Sequence, residues 1–296
     1  MPQSYDEPPA EIGSPSTVTV ARITGYRALR MDLRRPPVDG PVPVVVWIHG
    51  GGWRNGSRDE LPDVLAAAGF RDRLLRRGYA VADVDYRLSG EAIFPAQLHD
   101  VKAAVRWLRA HATLLGLAAE RFVAWGESAG GHLAALTGLV TDPALEGDVG
   151  LTGVSSAVQA VVDWYGPAVM ELFLAKKPPN GPGSMPVEKL LGGVLAERLA
   201  EAAVASPVTY VRPDAPPFLL MHGTADTVVP PAHSERLASA LREAGAVAEL
   251  VPVPGVGHVF AGAPDVGGLI ESCLDFLDKH LFCNRDGAVG TRDDSD

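Results

Sequence analysis

Short apolar runs rich in valine alternate along this chain with longer amphipathic runs. Apolar runs at 43–49, 79–86 and 121–126 enclose amphipathic runs at 60–77 and 95–112. Continuous apolar strands of this kind are typical of a parallel sheet that is covered by helices on both faces. The sequence therefore predicts an α/β fold.

The alternation continues in both directions from this central part. Upstream, "TVTVARI" and "YRALRMDLR" predict two strands that form an antiparallel start to the sheet. Downstream, strands are predicted at 158–166, 217–223 and 247–255, with helices at "PAHSERLASALREAG" and "LIESCLDFLDKHL". The prediction is one α/β domain over residues 17–282, built on a mostly parallel sheet of roughly eight strands.

The alternation fails between Pro167 and Pro207. There "AKKPPNGPGSMP" reads as a proline and glycine loop, and "VEKLLGGVLAERLAEAA" is helical with no strand directly after it. Because a connection this long inside a compact domain is usually functional, we expect residues 167–207 to form a small helical cap over the carboxyl edge of the sheet. Residues 1–16 are expected to be an N-terminal extension, and the acidic residues 284–296 a disordered tail.

Charge and composition exclude several classes of partner. Hydrophobic residues make up 47% of the chain, which is ordinary globular usage and enough for a sizeable core. The net charge of −10 and the scattered lysines and arginines argue against nucleic acid and anionic membranes as partners. No basic start precedes an apolar stretch, and no apolar run reaches the ~18 residues of a membrane span. We expect a soluble, cytoplasmic protein whose oligomeric state, a homodimer included, stays open.

The two cysteines, Cys273 and Cys283, lie in the final predicted helix. A rise of ~1.5 Å per residue separates them by about 15 Å, so a disulfide requires the helix to end and fold back. So few cysteines do not resemble a disulfide scaffold, and we interpret them as two unpaired thiols in a reducing compartment, with a paired Cys283 in an exported protein as the alternative.

The segment "GESAGG", residues 126–131, places Ser128 between a predicted strand and a predicted helix. G-x-S-x-G at such a junction is typical of a nucleophilic serine that a tight turn holds at the top of a sheet. A serine at the start of a helix is also a favoured N-cap. The short motif alone leaves both interpretations open.

Two further groups follow later strands and favour the nucleophile. Asp226 lies in "HGTADTVVP" after the strand at 217–223, and His258 lies in "VPGVGHVF" after the strand at 247–255. Acyl transfer by a serine needs a base that takes its proton and a carboxylate that orients the base. Ser128, Asp226 and His258 occur in the chain order of α/β hydrolases, so we predict that they form a catalytic triad.

The segment "HGGGW" at residues 49–53 follows the first parallel strand. Peptides without side chains can direct backbone N–H groups at a developing oxyanion from close range. We expect two of Gly50, Gly51 and Gly52 to form the oxyanion hole together with the amide of Ala129.

These motifs, with "DYRL" at 85–88 and "FPAQLHDVKAAVRWL", resemble the hormone-sensitive-lipase-like and bacterial feruloyl-esterase-like carboxylesterases of the α/β hydrolase superfamily. The resemblance covers about residues 17–282. It implies a cofactor-free serine esterase of small to medium esters that works through an acyl-enzyme, with His49 and Arg87 supporting the loops around the site. Glu127 departs from the aspartate that many lipase-like members carry.

The substrate is less well defined by the sequence than the reaction. Candidates for substrate contact are Trp53, Glu127, Trp164, Tyr165 and Phe260, with Phe173 in the predicted cap, although each aromatic residue is equally suited to core packing. No metal site is predicted, since the one close pair, His99 and Asp100, lies in a flanking helix. An arylformamidase, a lactonase or an acyltransferase would use the same groups. A non-catalytic ligand-binding receptor typically lacks a member of the triad.

Overall fold

One eight-stranded sheet runs through the part of the chain that the computed structural model describes, residues 4–6, 15–176 and 180–282. The strands are β1 Ser16–Ala21, β2 Leu29–Arg34, β3 Val42–Ile48, β4 Ala80–Val84, β5 Leu117–Glu127, β6 Ala160–Trp164, β7 Phe218–Gly223 and β8 Ala248–Val253. Their order across the sheet is β1-β2-β4-β3-β5-β6-β7-β8. The strands β1, β2 and β4 pair antiparallel, and every pair from β4 to β8 along the sheet is parallel. The predicted α/β-hydrolase fold, with an antiparallel start to the sheet, is confirmed.

Helices cover both faces of this sheet. They are α1 Asp63–Ala67, α2 Phe70–Arg76, α3 Ala96–Ala110, α4 Ala112–Leu115, α5 Ala129–Leu139, α6 Pro186–Leu191, α7 Leu199–Val204, α8 Ala232–Glu243 and α9 Val266–Phe282. Side chains of α3, α5 and α8 belong to the core on one face, and those of α1, α2 and α9 to the core on the other. Because both faces are covered, every residue of β3 and β4 is buried, which explains why both strands are apolar except for Asp83, whose carboxylate pairs with Arg34 and Arg71.

The core under α2 and α9 is aromatic. Trp47, Trp125 and Trp164 come from the neighbouring strands β3, β5 and β6, and the ring of Trp125 packs edge-on against that of Trp164 at 5.0 Å. Phe70 from α2 contacts all three rings. A buried side chain of this size contributes about 1.5–3 kcal/mol through the apolar surface that it removes from water. This layer fixes the end of β5, from which Ser128 projects.

Two predicted helical runs are broken where glycine adopts a left-handed conformation. The run at 60–77 forms two helices that meet at Gly69, with φ 67°. The run at 187–203 ends its first helix at Gly192, with φ 73°, and continues as a short 3₁₀ turn and α7. A left-handed residue at the end of a helix turns the chain away from the helix axis. Between residues 167 and 207 the described residues therefore form short helical pieces and no strand.

Three of the sequence predictions fall partly or wholly outside the described residues. They are the N-terminal extension 1–16, the acidic tail 284–296, and the state of Cys283 relative to the buried Cys273. None of the described helices is both long enough and apolar enough to cross a membrane.

Candidate active site

Ser128 lies in a sharp turn between β5 and α5, with φ 53° and ψ −117°. Its amide donates to Trp164 O at 2.8 Å, and its side chain makes no helix-capping hydrogen bond. The turn packs so closely on β3 that a Cβ atom on Gly130 would lie 1.9 Å from Ile48 O. Ser128 therefore does not cap α5 with its side chain. A strained turn instead presents its hydroxyl at the carboxyl edge of the sheet.

The structure brings Ser128, His258 and Asp226 into one hydrogen-bonded chain. His258 Nε2 is 3.0 Å from Ser128 Oγ, and His258 Nδ1 is 2.6 Å from Asp226 Oδ2. Because an ionised carboxylate only accepts hydrogen bonds, Nδ1 carries a proton and donates it to Asp226. In the neutral ring Nε2 is then the acceptor that faces the serine hydroxyl, which is the arrangement that a general base requires.

Asp226 is held as a carboxylate by its surroundings. Its Oδ1 accepts from the amides of Val228 at 2.8 Å and Val229 at 2.9 Å, and its Oδ2 lies 3.4 Å from His222 Nε2. Burial acts to raise the pKa of Asp226, but the hydrogen bonds from His222 and His258, the charge of His258 and the Val229 amide outweigh it and hold that pKa well below its usual value. His222, four residues before Asp226 in "HGTAD", is a support that the sequence analysis did not identify.

A tight aromatic wall positions the ring of His258. Tyr165 packs edge-on against His258 at 5.0 Å and against Phe260 at 4.8 Å. Tyr165, Val259 and Phe260 all have positive φ, between 44° and 58°. Non-glycine residues in this region are strained, so their packing must hold the two turns that present His258.

The glycine loop after β3 turns through consecutive left-handed residues. The φ angles are 99° at Gly51, 60° at Gly52 and 57° at Trp53. Gly52 and Ala129 border the same cavity as Ser128. Gly50 packs directly on the carboxyl group of Glu127, and Gly50 and Gly51 line a separate cavity behind the loop.

Glu127 lies beneath the glycine loop and lines a separate cavity behind it. A Cβ atom on Gly50 would lie 2.0 Å from Glu127 Oε1, so the loop rests directly on this carboxyl group. Burial raises the pKa of Glu127 to about 7, against the opposing charge of His258 and the Gly50 amide. The sequence analysis placed Glu127 among substrate-contacting residues; the structure places its carboxyl group against the loop.

A cavity of about 350 Å³ opens beside Ser128. Its lining comprises Gly52, Trp53, Ser128, Ala129, Pro167, Phe173, Lys176, Met185, Pro186, Val187, Thr227, Val228 and Val229. Trp53 and Phe173 are therefore at the cavity, as expected from the sequence. The wall is mostly apolar, and residues of the 167–207 segment form much of it.

Trp164, Tyr165 and Phe260 are corrections to the expected substrate contacts. All three side chains are completely buried in the core under α2 and α9 and are absent from the cavity lining. Strand alternation explains this for Trp164, because its side chain leaves the face of the sheet opposite to α5. Tyr165 and Phe260 reach the site only indirectly, through the ring of His258.

Two buried histidines outside the predicted set connect the 167–207 segment to the sheet domain. His132 Nδ1 accepts from Trp53 Nε1 at 3.1 Å, while its Nε2 is 2.7 Å from Ala205 O. His233 Nδ1 accepts from the amide of Ala168 at 3.1 Å. Burial lowers the pKa of His132 to about 4 and that of His233 to about 3, so both rings are neutral near pH 7.

Arg87 and His49 have the supporting positions that the resemblance implies. Arg87 Nη2 donates to Asp100 Oδ1 at 2.7 Å and Nε donates to Oδ2 at 2.8 Å, inside the protein. Arg87 therefore engages both carboxylate oxygens of Asp100, the residue that follows His99 in the sequence. His49 stacks on Tyr86 at 4.3 Å, and the Tyr86 hydroxyl donates to His49 O at 3.0 Å. The two contacts of Tyr86 fix His49 at the start of the glycine loop.

Comparison with known proteins identifies relatives along most of the chain. Residues 31–241 match the BD-FAE family. The chain is 32% identical to esterase LipQ of Mycobacterium tuberculosis over 265 residues, which is 86% of this chain. A solved truncated carbohydrate esterase from gut microbiota aligns with a TM-score of 0.75 at 30% identity, covering 90% of this chain and 96% of that one. Native esterase 2 of Thermogutta terrifontis aligns with a TM-score of 0.74 at 28% identity, covering 94% and 96%.

The curated mycobacterial relatives are longer than this chain. The match spans 60% of LipQ, 53% of esterase LipC and 49% of the probable carboxylic ester hydrolase LipM. The two solved esterases, in contrast, match along nearly their whole length. The shared part is therefore the α/β domain that carries the site described above.

Proposed function

The chain belongs to the BD-FAE family, and from this membership and the geometry around Ser128 we propose that it is a serine carboxylesterase. In this proposal it hydrolyses small to medium esters through an acyl-enzyme, with Ser128, His258 and Asp226 as its catalytic triad. The curated relatives named esterase or carboxylic ester hydrolase support the reaction class. The names of the solved relatives support it as well.

The single observation that carries the proposal is the continuous hydrogen-bond chain from Ser128 Oγ through His258 to Asp226. Ser128, Asp226 and His258 follow the ends of β5, β7 and β8. Each could have a structural role of its own, but packing alone does not require that the three side chains form one hydrogen-bonded chain. A hydroxyl, an imidazole and a carboxylate at hydrogen-bonding distance are the arrangement that activates a serine for attack on an acyl group.

In the first half of the reaction, Ser128 Oγ attacks the ester carbonyl carbon while His258 Nε2 takes the hydroxyl proton. In this proposal the oxyanion is bound by backbone amides of the glycine loop together with that of Ala129, which is supported by the position of Gly52 and Ala129 at the edge of the cavity beside Ser128. The C–O bond to the alcohol then breaks, and His258 returns the proton to the leaving oxygen. Asp226 stabilises the imidazolium throughout this exchange.

In the second half, a water molecule attacks the acyl-enzyme carbonyl and gives its proton to His258 Nε2. The same amides bind the second oxyanion, and the proton passes from His258 to Ser128 Oγ as the acid leaves. The apolar cavity of about 350 Å³ lies at the lower end of the size range of ligand pockets, which favours short to medium substrates.

Covalent labelling of the nucleophile tests the mechanism directly. The protein is incubated with paraoxon and its intact mass is measured. The labelled protein is then digested, and the modified peptide is identified by mass spectrometry. We expect one diethyl phosphate adduct, on the peptide that contains Ser128, together with loss of p-nitrophenyl acetate hydrolysis. The Ser128→Ala variant is the control and should stay unlabelled. An adduct on another residue, or full esterase activity after labelling of Ser128, would contradict the proposal.

A further inference from the structure

Lys176 is the one charged side chain in the lining of the cavity beside Ser128, among the residues that the structure describes. It follows the 3₁₀ turn Met170–Ala175 at the start of the 167–207 segment. The other lining residues are uncharged, and most of them are apolar. A charge in an otherwise neutral pocket affects every substrate that enters it, because the pocket contains little else to offset that charge.

The ammonium group of Lys176 is fixed in place. Its Nζ donates to Thr227 O at 2.5 Å and to Val228 O at 2.7 Å. Both acceptors belong to the loop that carries Asp226, and both residues also line the cavity. A lysine ammonium has three donors, so these two bonds leave one N–H for a further acceptor.

The charge of Lys176 has no carboxylate partner within 4.0 Å in the described part of the chain. Two other lysines of the described residues have a carboxylate partner, Lys102 with Glu146 at 2.8 Å and Lys279 with Glu249 at 2.9 Å, whereas Lys189 lies exposed on α6. The protein has 36 acidic residues against 26 basic ones, so an unpaired cation at the pocket is not a result of scarce acids. The backbone carbonyls orient the ammonium without neutralising it.

We propose that Lys176 selects esters that carry an anionic group, such as a carboxylate, a few bonds from the scissile carbonyl. The inference rests on the proposed function and names the substrate class for it. The carboxylate accepts the remaining Nζ–H and pairs with the charge, while the apolar wall contacts the rest of the substrate. The substrate class is thus the monoesters of dicarboxylic acids or the acyl esters of hydroxy acids.

Two matched pairs of esters test this proposal. The first pair places the charge on the acyl side: ethyl hydrogen glutarate and its neutral carboxamide, ethyl 5-amino-5-oxopentanoate. The second places it on the alcohol side: 4-acetoxybutanoate and 4-acetoxybutanamide. For each ester kcat/KM is measured by acid release. We expect the carboxylate to be favoured by about fivefold in one pair, which is the size of a single partly exposed charge pair. The pair that shows the preference assigns the side.

Variants separate charge recognition from the role of Lys176 in holding the 227–228 loop. Lys176→Met loses both bonds to the 227–228 loop, so kcat/KM should fall for both esters, but it should fall about fivefold further for the carboxylate and so remove the preference. Lys176→Arg should keep the preference. Lys189→Met is the matched control, because Lys189 is exposed on α6 and does not line the cavity. High salt should reduce the preference of the wild type.

Three results would overturn the proposal. They are equal turnover of carboxylate and carboxamide in both pairs, a preference that survives in Lys176→Met, and an equal fall of kcat/KM for charged and neutral esters in that variant. The last result would show that Lys176 only holds the loop. A protein that hydrolyses none of these esters, and no p-nitrophenyl acetate, would instead overturn the proposed esterase activity, and the charge preference with it.

Discussion

Two regions meet at Ser128, and they are held in place by different means. Ser128, Asp226 and His258 follow β5, β7 and β8, whose positions are set by continuous backbone pairing across the sheet. The 167–207 segment has no strand among its described residues. Its buried apolar side chains join the core under α3 and α5, and buried hydrogen bonds connect it to the sheet domain, from His132 to Ala205 and from the Ala168 amide to His233.

This difference assigns different consequences to mutations in the two regions. The reacting groups are fixed by the fold itself, so a substitution there should change chemistry and leave stability almost unchanged. The segment that forms much of the cavity has no strand pairing and depends on apolar side-chain packing and buried polar contacts, so a substitution there should change stability first. Substitutions at Ser128 and Ser206 compare the two regions directly, and those at Asp226, Glu127 and His132 compare groups of the sheet domain that differ in their contact with the reacting groups.

The largest contrast is expected between two serines. Ser128→Ala removes the nucleophile and should lower kcat for p-nitrophenyl acetate by about 10⁵–10⁶-fold, with an unchanged urea midpoint. Ser206→Ala, in the segment, removes the acceptor of the Met170 amide and the donor to Ala202 O. It should lower the free energy of unfolding by about 1–3 kcal/mol and change kcat only slightly. Similar kcat values in the two variants would contradict the division between the regions.

The second contrast uses two buried aspartates at neighbouring strand ends. Asp226→Asn should lower kcat by about 10⁴-fold, because the amide can donate to His258 Nδ1 and stabilise the wrong tautomer. Asp163 accepts from the Gly166 amide at 2.9 Å, and burial raises its pKa to about 6. Because it does not contact His258, Asp163→Asn should keep nearly full activity. A comparable loss in both variants, with intact folds by circular dichroism, would mean that any buried carboxylate here supports turnover.

The fold was predictable because β3 and β4 are buried on both faces and are therefore almost entirely apolar, Asp83 being the exception. The meeting of Ser128, Asp226 and His258 was predictable for a related reason: parallel strands bring their carboxyl ends to one edge. Most of the cavity lining was not predictable from the sequence, because the face on which a strand side chain lies depends on the register of the strand. Trp164, for example, points into the core. His132 carried a weak signal, four residues after Ser128, but no sequence pattern indicates its bond to Ala205.

Glu127 supplies the third prediction, which concerns pH. A glutamate in the unfolded chain has a pKa near 4.5, and burial raises that of Glu127 to about 7. Between these values the folded state binds more protons, so this group lowers the free energy of unfolding as pH rises from about 4.5 to 7. Glu127→Gln removes this pH dependence. Between pH 4 and pH 8 the free energy of unfolding of the variant should therefore rise by roughly 3 kcal/mol relative to that of the wild type.

The same variant should be slower where Glu127 is ionised. Its charge stabilises the positive charge that develops on the His258 ring in the transition state, so kcat above pH 7 should be lower in Glu127→Gln than in the wild type. Below pH 6 the wild type and Glu127→Gln should converge. Urea titrations and initial rates at both ends of this pH range measure the two effects. Parallel curves of unfolding free energy against pH for wild type and variant would show that the pKa of Glu127 is the same in the folded and unfolded protein.

Among the substitutions that should slow turnover, the smallest effect is expected at His132, where the two regions touch. His132→Leu leaves Trp53 Nε1 and Ala205 O without partners in a buried site, which should lower the free energy of unfolding by about 2–3 kcal/mol. Trp53 directly follows the glycine loop, so losing its tether should loosen the Gly52 amide and reduce kcat a few-fold. His280→Leu is the control: His280 lies on α9, away from the cavity, and should change neither quantity. If His132→Leu instead abolished turnover at full stability, His132 would belong with the reacting groups at the sheet edge, because a tether acting only through Trp53 and Ala205 cannot stop the chemistry while the fold stays intact.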